Sequence, residues 1–201
     1  RRDTEGMCLG SKGGVLISFE GKPKLGLFGY DGRQIKKYAL PKKLRDPANY
    51  RSKNKALEAL ARHPVYGALM VAEWPLRKDH KKKQTIYALS GKKWHFRAEP
   101  EARSSVTAIE VMEDGNLLVL ERSFVDFMEP MVITLKKVYL TECRQHTMCR
   151  SEVLIKMNSY QGWDVDNFEV LSRLSPPLFL LLLPSPDNFF QRTLLVYFEV
   201  M

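Results

Sequence analysis

Four glutamates sit inside apolar stretches, where carboxylates seldom sit. They are Glu5 in Thr4-Glu5-Gly6-Met7, Glu58 in Ala56-Leu57-Glu58-Ala59-Leu60, Glu110 in Ala108-Ile109-Glu110-Val111-Met112 and Glu169 in Asn167-Phe168-Glu169-Val170-Leu171. Each is followed, 15, 15, 11 and 18 residues on, by a second acid at or just after a hydrophobic run: Glu20, Glu73, Glu121 and Asp187. Carboxylates gathered within a few ångströms repel one another. They stay ionised only beside a cation, and otherwise some take up a proton at a raised pKa. Calcium is the natural cation for such a set, since it accepts about six to eight oxygen ligands in flexible geometry. The leading ligand candidates are Glu5, Glu58, Glu73 and Glu169, with Glu20, Glu121 and Asp187 beside them. Glu110 ranks lower, because its neighbour Glu113 suggests a solvated turn. The plainer alternative for any one acid is structural: it accepts hydrogen bonds from a neighbouring sheet, or pairs with Arg122 or another cation.

The acids need elements that bring them face to face, and the chain repeats one layout about every 50 residues, over 1–41, 54–100, 104–158 and 166–201. A second strand follows each first acid, as in Val15 to Phe19, Leu69 to Ala72, Leu117 to Leu120 and Leu178 to Leu183. Third strands read at Leu25 to Tyr30, Thr85 to Leu89, Val132 to Tyr139 and Thr193 to Phe198, and fourth strands at Ile35 to Ala39, Trp94 to Arg97 and Val153 to Met157. Asp31-Gly32, Ser90-Gly91 and Asp114-Gly115 supply hairpin turns. Four-stranded units at this period predict an all-β fold, a β-propeller whose antiparallel blades surround a channel. An ordinary antiparallel sandwich is the alternative. Asn54 to Arg62 is built of strong helix formers, but the repeat places it in a first-strand slot and the strand is preferred. The last repeat has no fourth strand, so the expected ring is incomplete, or shortened and closed with four blades; a piece of a longer propeller is the preferred reading.

Composition narrows the function classes. A hydrophobic fraction of 44% in 201 residues supports a globular core. The net charge of +9 raises nucleic acid as a partner. Its densest basic run, Arg77 to Lys83, reads as a solvated loop, so nucleic acid is not the expected partner. Leu178 to Leu183 is far shorter than the roughly 20 residues of a membrane helix, and the opening Arg1-Arg2-Asp3-Thr4, which runs straight into patterned sequence, is expected of a mature or truncated product. Cys8, Cys143 and Cys149 make no zinc pattern with His63, His80, His95 or His146, while Cys143 and Cys149 could pair across a short loop in an oxidising compartment. Neither a GxSxG elbow nor a Ser-His-Asp order occurs.

The chain resembles the phytase-like family, described by an esterase-like activity of phytase and similar in layout to calcium-dependent β-propeller phytases. The residues that carry the resemblance are Asp3-Thr4-Glu5-Gly6, Asn54 to Ala61, Leu117 to Arg122, Asp166-Asn167-Phe168-Glu169, and Pro186-Asp187-Asn188-Phe189 with Gln191 to Leu195. The chain departs from the family pattern at Ala59 and Val170, where Gly is favoured, and at Ser185-Pro186-Asp187-Asn188. The resemblance implies hydrolysis of a phosphate or other ester on a small anionic substrate. Glu58, Glu169 and Glu5 would be catalytic, while Arg122, Lys55 and Lys12 would meet the phosphate. In that chemistry bound calcium would shield charge and activate water. It also implies a periplasmic or secreted protein. The alternative is a non-catalytic, calcium-stabilised propeller that binds a ligand or a protein.

Overall fold

The computed structural model describes residues 4–11, 13–52, 56–126, 128–175, 177–183 and 194–200, without the Leu183 side chain. It is a four-blade β-propeller. The first blade is β1 (Thr4–Leu9), β2 (Val15–Phe19), β3 (Lys24–Phe28) and β4 (Gln34–Tyr38); the second is β5 (Ala59–His63), β6 (Gly67–Val71), β7 (Lys83–Ala88) and β8 (Lys93–Arg97). The third is β9 (Ser105–Val111), β10 (Leu117–Ser123), β11 (Val132–Val138) and β12 (Ser151–Asn158). The fourth holds β13 (Val170–Ser175), β14 (Leu178–Leu183) and β15 (Leu194–Glu199). Every blade is an antiparallel meander in chain order. A short helix α1 (Lys42–Arg45) lies between the first two blades.

The expected strand over the helix-forming segment is β5, which begins at Ala59 and leaves Ala56 and Leu57 in a bend. Tertiary packing overrides local propensity here. Ala59, Leu60 and Ala61 are all buried, because this strand has a blade on either side of it.

Packing follows the blade order. Leu25, Leu57, Met70 and Tyr87 belong to a core between the first and second blades. Ile86, Trp94, Val119 and Leu140 belong to one between the second and third, and Leu118, Ile133, Phe168 and Phe179 to one between the third and fourth. The inner strands β1, β5, β9 and β13 stand side by side in that order. Gly6 lets β1 approach β5, since a Cβ there would lie 2.7 Å from the Glu58 carbonyl oxygen. Buried Ser18 joins the same seam, accepting from the Gly6 N–H and donating to the Leu57 carbonyl, both at 2.9 Å.

Two further ties cross from the second blade to the third. His63 Nε2 donates to the Gly115 carbonyl at 2.9 Å, while its Nδ1 accepts from the Val65 N–H at 3.0 Å, so the neutral Nε2–H tautomer satisfies both. The loop between β11 and β12 carries the disulfide Cys143–Cys149 and lies along β8. There the Cys149 N–H donates to the His95 carbonyl, and the His95 N–H to the Thr147 carbonyl.

Candidate functional site

One end of the channel is a cavity of about 260 Å³ lined by four matching triplets. They are Glu5-Gly6-Met7, Glu58-Ala59-Leu60, Thr107-Ala108-Ile109 and Glu169-Val170-Leu171, one from the start of each inner strand. Three blades therefore bring a glutamate to one mouth, and the third brings a threonine. Glu110, aligned by sequence with the other three glutamates, lies three residues further along β9. There it lines the cavity of about 770 Å³ at the other end of the channel, beside Cys8, Arg62 and Arg173. The repeat misplaced it because Ala-Ile-Glu-Val resembles the other segments equally well in either register.

The second ring of acids follows from strand pairing. The last triplet residues pair with Ile17, Met70, Val119 and Leu181 on the second strands. Three residues further along stand Glu20, Glu73 and Arg122, with the fourth position at Pro184 outside the described residues. So the third blade places a guanidinium where the first and second blades place carboxylates. Arg122 lies 3.6 Å from Glu73 and 3.9 Å from Glu169, and so joins the second blade to the fourth. Lys12, Lys55 and Asp187 fall outside the described residues.

Glu121, next to Arg122, faces the other way, because successive residues of a strand alternate between faces. It is buried between blades with its carboxylate 3.1 Å from Lys136 Nζ, and it accepts from the Glu99 N–H at 2.7 Å and from the Ser104 hydroxyl at 3.1 Å. Lys136 also reaches Glu99 at 2.6 Å and donates to the Arg97 carbonyl at 3.0 Å. Burial raises the Glu121 pKa against the pull of Lys136. Burial also pushes Glu99 upward, but hydrogen bonds from Lys136 and Lys156 outweigh it and leave Glu99 below the usual range. This network locks the second and third blades together, away from the mouth.

Glu58 reports the field at the mouth. Its pKa is raised to about 9, first by burial and then by Glu73, Glu5, Glu20 and Glu169 in that order. At neutral pH it is a carboxylic acid and can donate a proton. Glu169 accepts a hydrogen bond from the Asn167 side-chain amide. Thr107 is 3% exposed, and its hydroxyl has no hydrogen-bond partner among the described residues. No sequence feature singled out Thr107, although Thr107-Ala108-Ile109 has the polar, small, apolar order of the second-blade triplet.

Glu5, Glu58 and Glu169 line this one cavity. Among the described residues no group of three or more His, Cys, Asp or Glu is placed to hold one metal ion. At the other end of the channel, burial and then Glu110 push the Cys8 thiol up to about 12, which leaves it protonated and unreactive. Burial likewise raises Glu110, which accepts from the Val111 N–H at 2.8 Å.

A family model described as phytase-like, with the description "Esterase-like activity of phytase", matches residues 1–179. No curated protein matches the chain. Among solved structures, a protein of unknown function from Bacteroides caccae is similar at 14% identity and a TM-score of 0.39, over 90% of this chain and 70% of that one.

Proposed function

The chain belongs to the phytase-like family, and from that premise we propose that it hydrolyses a small anionic ester, of phosphate type, at the mouth lined by Glu5, Glu58 and Glu169. The observation that carries this reading is the convergence of carboxyl groups from three blades on one cavity, with Arg122 in ion-pair reach of Glu169. Glutamate pairs in unlike environments can divide acid and base work, and Glu58 and Glu169 differ in that way. Glu58 is partly buried and protonated, so it serves as general acid; Glu169 is 42% exposed and borders Arg122, so it serves as general base.

Water attacks the ester centre as Glu169 takes its proton. The ester bond to the leaving oxygen breaks, and Glu58 protonates that oxygen. One water is consumed, and solvent exchange restores both carboxyl groups. Arg122 holds the anionic end against the repulsion of the glutamates, while burial, then Glu73 and Glu5, keep Glu58 in its acid form. We place the protein in the periplasm or outside the cell, a reading the Cys143–Cys149 disulfide supports.

The test is turnover of aryl phosphates and aryl carboxylic esters by the purified chain, beside Glu58→Gln and Glu169→Gln. Steady hydrolysis that falls at least about 100-fold in both variants, with melting temperatures kept within a few degrees, is expected. Turnover unchanged in Glu58→Gln would end the reading. Ligand-induced stabilisation without any turnover would make the mouth a binding site instead.

A further inference from the structure

The third blade differs from the first and second at both rings of the mouth, with Thr107 in place of Glu5 or Glu58 and Arg122 in place of Glu20 or Glu73. We infer that Arg122 is the resident cation of this mouth, standing where related acid clusters would call for a metal ion, and that with Thr107 it receives the oxyanion of the ligand. The inference rests on the reading of this mouth as the site, but not on turnover.

Three observations carry it. Arg122 lies between carboxylates of the two flanking blades, so its charge offsets theirs where a shared cation would. Both contacts, at 3.6 and 3.9 Å, are longer than hydrogen bonds, and the Arg122 Nε–H is buried with no acceptor among the described residues. The guanidinium thus keeps donor capacity in a fork suited to two oxygens of one anion. The Thr107 hydroxyl is buried and without a partner among the described residues, and Thr107 lines the cavity that Glu169, the ion-pair neighbour of Arg122, also lines. A buried polar group left so is costly unless a ligand or a water satisfies it. The carboxylates around the pair repel anions, so only a group that engages the guanidinium directly is held. A phosphoryl or carboxylate oxyanion at the end of a neutral body has that chemistry.

Thermal melting of the full chain separates the alternatives, with calcium chloride, inorganic phosphate and acetate as probes. Millimolar calcium is expected to leave the wild-type melting temperature unchanged, and phosphate to raise it through binding to the folded state. Arg122→Gln should weaken phosphate binding at least tenfold. Arg122→Lys, which keeps the charge and protects against misfolding, should weaken it less. Thr107→Glu combined with Arg122→Glu gives the third blade the two acids of the first and second and should acquire a calcium-dependent rise. A response to acetate but not phosphate would assign the oxyanion as a carboxylate. Calcium stabilisation of the wild type, or equal phosphate binding by wild type and Arg122→Gln, would overturn the inference. Because none of these readings needs turnover, an inactive but phosphate-binding protein would sink the hydrolase proposal and leave this one standing.

Discussion

The second and third blades have the same four-stranded meander and the same pairing at the mouth, yet opposite electrostatics there. The second presents Glu58 and Glu73; the third, at the matching positions, presents Thr107 and Arg122. Both are buried between neighbours, so the difference is not one of exposure. The third blade does carry an acid nearby, but Glu121 is one residue out of phase and is spent on Lys136 between blades. A propeller blade is thus a frame whose register decides which face a charge serves, and a one-residue offset turns a mouth carboxylate into an interblade brace.

The largest effect that would break this comparison is on turnover. Glu58→Gln and Glu169→Gln should each lower hydrolysis about 100-fold or more, whereas Glu121→Gln should keep most activity while lowering stability. Equal losses of activity in all three would put Glu121 back among the mouth residues. Next comes the brace itself. Lys136→Met removes the cation shared by Glu99 and Glu121, and breaking a buried ion pair costs about 3–5 kcal/mol. A fall in melting temperature on the order of 10 °C is expected. Adding Glu121→Leu should recover part of it, and a melting temperature within 2 °C or so of wild type for Lys136→Met would show the brace to be idle.

Reduction of Cys143–Cys149 should cost less, about 2 kcal/mol for so short a loop, or roughly 4–8 °C in melting temperature. Its signature would be faster hydrogen exchange at the His95 and Cys149 amides, where the loop clasps β8. Unchanged exchange there would place the clasp in backbone pairing alone.

The last test is of pH dependence. The Glu58 pKa is about 9 in the folded protein, above its unfolded value, so folding favours the protonated form. Its contribution to stability is complete below the ordinary carboxylate pKa and is lost as pH rises towards 9. Glu110 and Glu121 are raised as well and add the same sign. Denaturant midpoints measured from pH 4 to pH 9 should therefore fall for the wild type and fall less for Glu58→Gln. Parallel curves would mean that Glu58 stays ionised.

Much of the frame was legible in the residues. Alternating apolar runs and Asp-Gly turns at one period specify meanders of four strands, because strand pattern and turn chemistry act over a few residues and repeat with the blade. The glutamates at the starts of β1, β5 and β13 were legible for the same reason, as charges recurring within apolar segments. Glu110, Thr107 and the opposed facing of Glu121 and Arg122 were not, since each depends on a register of one to three residues that only pairing with the neighbouring strand resolves.

The sequence by itself determined that similar sheets would recur and would carry acids at recurring places. Only the tertiary structure decided which acids meet, which is buried enough to hold its proton, and that an arginine stands among them. Burial and the distance between charges belong to the packed ring of blades, and those two quantities set the electrostatics of the mouth.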